Sequence, residues 1–276
     1  MAIHLGGSSR NSLAATREVL DKTLNGLSGD AASALSADLF AVVNALGQNV
    51  ALRRAITDPS RHADEKEALL KQLFASRISD KALAIANAAV SNRWSSPADL
   101  LISTEQIAIQ AEAGAANSRG ELDKLEEEIF AFGRALVANQ DLRNVLNGNP
   151  DAVAEKKALI NNVLKNATSS TKALISQIVN GLWGRSIENA LSDIAHATAE
   201  HRSLVVAHVQ SAIDLTADQK AKLASALSKQ VGQTVRVNVE TNPKVVGGVS
   251  IRFRDELIDG TVISRMAEAS QALAGK

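Results

Sequence analysis

The sequence predicts a mainly α-helical protein that ends in a small α+β domain. Three observations carry that expectation. Apolar residues recur at helical spacing from about residue 12 to about residue 200. The period then changes to two, in short β-rich runs. Within the helical part, the chain resembles itself at an offset of ninety residues. The expected organisation is a first helical bundle over residues 1–115, a second helical copy over 116–200, and a small sheet packed on helices over 201–276.

The first helix is expected over residues 12–27, with Leu13, Leu20, Leu24 and Leu27 on one face and Arg17, Glu18, Asp21 and Lys22 mostly opposite. A second, over 31–46, carries Leu35, Leu39, Val42, Val43 and Leu46 as its apolar stripe. Shorter helices follow over 50–56, 64–75 and 79–91. Ser96-Pro97 is a strong helix start, a capping hydroxyl followed by proline at the first position. The helix it opens is expected to run past Glu112 to near Ala138, with Gly114 and Gly120 as its weak points.

The repeat is read from paired residues. Leu39-Phe40 recurs as Ile129-Phe130, Leu52-Arg53 as Leu142-Arg143, Glu65-Lys66 as Glu155-Lys156 and Ala68-Leu69 as Ala158-Leu159. Asp58-Pro59 and Asn149-Pro150 fall one residue out of step. A shared helix, proline break and charged helix start favour duplication over coincidence between Ala/Leu-rich helices.

Beyond residue 186 one more helix is expected, to about residue 200, and then a strand over 204–209. Thr216 and Gln219 form a capping box that opens a helix over 217–231. Residues 234–239 alternate with period two. Residues 246–253 form a third strand entered through Gly247 and Gly248, and 256–258 a short fourth. Asp259-Gly260 is a turn dipeptide, and Thr261 opens a last amphipathic segment through Val262, Met266 and Ala269.

Composition narrows the function. Lys plus Arg and Asp plus Glu number 30 each, so no bulk positive field favours nucleic acid. There is no cysteine, hence no disulfide or thiolate metal site. The longest uncharged run, residues 39–52, is too short and too polar to span a membrane, so membrane association is expected through a partner and not by insertion. The N-terminal residues lack an apolar stretch of signal-peptide length, and a cytoplasmic location is expected.

Chemistry is sparse. The five histidines, His4, His62, His196, His201 and His208, form no metal-ligand spacing. No phosphate-loop, dinucleotide or nucleophile-elbow motif occurs. Glu126-Glu127-Glu128 is read as a solvated helix face. Trp94 and Trp183, late in each copy, are read as core anchors, with a partner groove as the lesser alternative. No catalytic residue, cofactor or metal is expected. From the residues alone, Gly247, Gly248 and Gly260 need only permit tight backbone geometry, and Asp259 need only form a turn.

The stretch GGVSIRFRDELIDGTVISRM resembles the C-terminal signature of the delta subunits of F-type ATP synthases, counterparts of the mitochondrial oligomycin-sensitivity-conferring protein. That family's signature falls here on Gly247, Gly248, Asp255, Asp259, Gly260 and Thr261, in structural or partner-binding roles. Asn242 and Arg254 depart from it, where an acidic residue and a glycine are common. The run of Leu-Arg, a proline break and then Glu-Lys-Lys-Ala-Leu-Ile is similar to the middle of the family's six-helix N-terminal domain. Two copies of it resemble the actinobacterial form.

The resemblance implies a non-enzymatic stator subunit on the cytoplasmic face of the cell membrane. Its helical region would receive the N-terminal helices of alpha subunits, and its C-terminal region would hold the C-terminal end of subunit b. An alpha-binding groove is expected near Leu13, Leu20 and Leu24. The rival readings are an unrelated helical scaffold or adaptor and, without a visible polar pocket, a small-molecule enzyme.

Overall fold

The computed structural model describes residues 5–149, 151–213, 215–231, 234–242, 249–253 and 256–259. The chain divides into two compact units, Met1–His201 and Arg202–Lys276.

The first unit is helical: α1 (Gly7–Leu24), α2 (Gly29–Gln48), α3 (Val50–Thr57), α4 (Ala63–Phe74), α5 (Asp80–Ser91), α6 (Pro97–Ser118), α7 (Leu122–Ala138), α8 (Gln140–Asn147), α9 (Val153–Val163), α10 (Ser169–Asn180) and α11 (Ile187–Ser203). Their starts are written in side chains that accept from an orphan N–H two or three residues on. Ser28, Asn49, Ser79, Ser96, Asn139 and Thr168 all act this way.

Two expectations are corrected. The first helix begins at Gly7, capped by Gly6, rather than at residue 12. The long helix expected from residue 97 to near 138 is two helices. Gly120 adopts φ +70° just past the end of α6, and Gly120 and Glu121 donate back to Asn117 and Ala116. A left-handed residue at that place ends a helix by satisfying its last carbonyls, and glycine adopts it without a Cβ clash. Gly114, by contrast, stays inside α6.

The helices recur in register. Gly7, Pro97 and Ile187 start α1, α6 and α11 at intervals of ninety residues, and α3 and α8, like α4 and α9, keep the same interval. Local bonding recurs with them. Asn49 Oδ1 accepts from Leu52 N and Asn139 Oδ1 from Leu142 N, both at 3.0 Å. Asp58 Oδ1 accepts from Ser60 N and Asn149 Oδ1 from Asp151 N, both at 2.9 Å. Asp38 accepts from Ser79 N at 2.8 Å, as Glu128 does from Thr168 N at 2.9 Å. Lys66 and Lys156 are both buried at equivalent positions, Lys156 Nζ donating to Gly148 O at 3.2 Å.

One continuous core holds the eleven helices. Leu39, Leu46, Leu70, Ile85, Leu100, Ile107, Leu125, Leu136 and Leu146 are fully buried in it. Helix α6 lies at its centre: 14 of its 22 residues are buried, around its whole circumference. A helix apolar or small on every side is stable only when surrounded. Residue 115, the expected end of a first domain, therefore falls inside a buried helix and within one compact unit.

The second unit contains β1 (Leu204–Ser211), α12 (Ala217–Val231), β2 (Thr234–Thr241), β3 (Val249–Phe253) and β4 (Glu256–Asp259), with strand order β2-β1-β3-β4. Strands β1 and β2 are parallel, Val209 facing Val239, so α12 is their crossover. β1 and β3 pair antiparallel, Val209 opposite Ile251, and β4 adds antiparallel to β3. Val209, Leu227 and Val235 form a small core, with Leu215, Leu223, Val237 and Val239 around it. Thr216 and Gln219 close a capping box at 2.9 and 3.3 Å.

Candidate partner-binding surfaces

Among the described residues no group of three or more His, Asp or Glu could hold a metal ion. The charged side chains are instead used as struts. Arg185, in the loop before α11, donates to Glu105 of α6 at 2.8 Å and to Asp193 of α11 at 2.7 Å. Burial pushes the Glu105 carboxyl up against the pull of Arg185. Burial likewise lowers the affinity of Arg185 for its proton, but the two carboxylates outweigh it and raise that affinity. The constellation is an ion-pair brace that ties the loop before α11 to α6 and α11.

A second brace centres on Glu112, which is 2% exposed. Its Oε1 accepts from Ser33 of α2 at 2.8 Å and from Ser170 of α10 at 2.6 Å. Arg119 reaches the same oxygen at 3.4 Å and the Ser170 hydroxyl at 2.6 Å. Helix α6 thus ties α2 to α10 through one buried carboxylate. Such a group is tolerable only with its lone pairs occupied.

Glu128 is not simply part of a solvated face, as its run of three carboxylates suggests. It accepts from the N–H of Thr168 and the hydroxyls of Thr168 and Thr171, at the start of α10. Burial raises its carboxyl, but these bonds, Thr171 first, outweigh that and hold it below the ordinary glutamate range.

The expected groove residues are placed differently from the expectation. Leu13 and Leu20 are 6% and 1% exposed and belong to the core, because this face of α1 is the one packed on α5 and α6. Leu24 is partly buried against the same core. The C-terminal signature falls mostly outside the described residues: Gly247, Gly248, Asp255, Gly260 and Thr261 all do. Asp259 ends β4, paired with Ser250.

The two tryptophans differ. Trp94 is a core anchor at 7% exposure, its Nε1 donating to Ala89 O at 2.7 Å. Trp183 is half-buried with φ +51°, the only non-glycine residue in the left-handed region among those described, and its ring lies over Gly47. It lines a cleft with Arg53, Leu101, Ile102 and Arg185. Both arginines there already donate to carbonyls or carboxylates.

No single described helix is long and apolar enough to cross a membrane. Only α2 and α3 together approach that composition, bent by 103°, and α2 is built into the core.

The surfaces and braces define a class: a mainly helical protein whose polar groups hold helices together. The family model for the ATP synthase delta (OSCP) subunit matches residues 110–273. The chain is 36% identical over 269 residues to the ATP synthase subunit delta of Streptomyces coelicolor, covering 97% of this chain and 98% of that protein. It is 36% identical to that of Kineococcus radiotolerans, covering 98% of each, and 34% identical to that of Thermobifida fusca, covering 98% and 99%. The chain belongs to the ATP synthase delta (OSCP) subunit family.

Proposed function

We propose that the helical unit grips the catalytic head by receiving the N-terminal helices of alpha subunits, while the C-terminal unit holds the C-terminal end of subunit b. As a member of its family the chain is a peripheral-stalk subunit of an F-type ATP synthase and is not itself a catalyst. The observation that carries the reading is the full-length likeness to delta subunits. The single core of the helical unit supports it, since a stator must resist torque and a well-packed interior deforms little. Amphipathic helices laid in apolar grooves would form the grip without a cofactor.

In this reading the alpha-subunit groove lies near Leu13, Leu20 and Leu24, with Leu13 and Leu20 in the core beneath it and Leu24 partly buried against the same core. The C-terminal signature belongs to the unit that holds subunit b. The recurrence of helix starts and caps at ninety residues supports descent by duplication, and the complex sits on the cytoplasmic face of the cell membrane. Reconstitution tests the whole. Membranes stripped of this chain should lose ATP-driven proton pumping and regain it when the chain is added back; pumping unchanged by its removal overturns the reading.

A further inference from the structure

Helix α2 carries Phe40, Asn44 and Gly47 at spacings of four and three, so they share one face. That face is covered. Phe40 is 4% exposed, Asn44 Nδ2 donates to Gln177 of α10 at 3.5 Å, and the Trp183 ring occupies the place a side chain at Gly47 would take. Ninety residues later α7 carries Phe130, Arg134 and Val137 at the same spacings. Here the face is bare: Phe130 is 67% and Val137 73% exposed. The Arg134 guanidinium stacks 5.1 Å from the Phe130 ring centre and forms no ion pair among the described residues.

The covered face shows what the bare one accepts, namely a helix laid along it. The chain's own second set of helices does not supply one. The counterpart of α10 is α5, and the counterpart of Trp183 is Trp94, which is folded into the core. Val137 stands where Gly47 admits an indole, so the occupant must be small or aliphatic at that point. Arg134 stands where Asn44 meets a neutral amide, so the occupant gains by presenting a carboxylate there. Two large apolar side chains exposed on one helix face mark an interaction site better than isolated ones do.

We propose that Phe130, Arg134 and Val137 of α7 form a docking site for an amphipathic helix of another synthase subunit. That helix has aliphatic or small residues over Phe130 and Val137 and a carboxylate that pairs with Arg134. The proposal rests on the peripheral-stalk reading and adds to it a partner surface on the second set of helices.

The test places a benzoylphenylalanine at position 130 of the full chain, returns it to stripped synthase, confirms that pumping is restored, and irradiates. Mass spectrometry should find the adduct on a helical segment of another subunit that has this apolar face and a carboxylate. Adducts confined to this chain, whether within one molecule or between two copies, overturn the proposal, and so does a pumping complex with no adduct. A Phe130→Lys, Val137→Asp double variant gives an independent reading. The isolated chain should melt as before, because both side chains are exposed, while its affinity for stripped synthase falls at least tenfold. Unchanged affinity of a folded double variant defeats the docking site yet leaves the stator role intact, since that role is judged by whether removing the chain abolishes pumping.

Discussion

The helices before α6 and those after it use the same local devices in different surroundings. Asparagine caps, Asx turns, carboxylate caps and a buried lysine recur at matching places. Yet Phe40 is buried and Phe130 exposed, and Trp94 is in the core while Trp183 leans on a neighbouring helix. Short-range hydrogen bonding therefore goes with the sequence pattern, whereas burial depends on which helix lies next door. The first set has its outer α2 face closed by α10; the second set has no helix of the same unit against the equivalent face of α7.

The largest expected contrast lies at that pair. Phe40→Ala should cost about 3–5 kcal/mol in urea unfolding of the full chain, as for large-to-small core changes. Phe130→Ala should stay within about 0.5 kcal/mol, as for exposed sites. Equal costs would mean that the two faces are not differently covered. A smaller and symmetric effect is expected at the caps. Asn49→Ala and Asn139→Ala should each cost about 1 kcal/mol, and the double variant should be additive; a twofold disparity would break the local equivalence.

The smallest effect is a pH dependence. The Glu128 carboxyl is held low by the Thr171 and Thr168 bonds, against burial. Its contribution is thus present at neutral pH and is lost as the solution falls through and below the ordinary glutamate range. Glu128→Gln should be less stable than the parent at pH 7 by less than about 1 kcal/mol, since the group is partly solvated. That gap should close on acidification, as followed by thermal melting between pH 7 and 3. A gap independent of pH would remove Glu128 from the set of charged caps.

Much of the helical structure in both units was legible because its signals are local. Ser96-Pro97, the Thr216–Gln219 box and the apolar stripe of α2 each predict an element from a few adjacent residues, and each element is present. The end of α6 was harder, since Gly114 and Gly120 look alike in sequence and only the second takes a left-handed conformation. At Leu13 and Leu20, where a groove is expected, the face packs on the protein's own core. An amphipathic stripe says that a face is buried, not whether a partner or the protein's own core buries it. The roles of Glu112, Glu128 and the Glu105–Arg185 pair were not visible at all, because each depends on a partner 40 to 80 residues away.

Helix α6 begins at the position equivalent to α1 and also to α11, so it serves as the last helix of the first set and the first of the second. Two bundles joined in this way have no tether between them. A protease cutting an ordinary tandem protein at its connecting segment releases two intact halves. Here the connecting segment is the most enclosed part of the unit, and a break anywhere within Pro97–Ser118 would damage both sets at once.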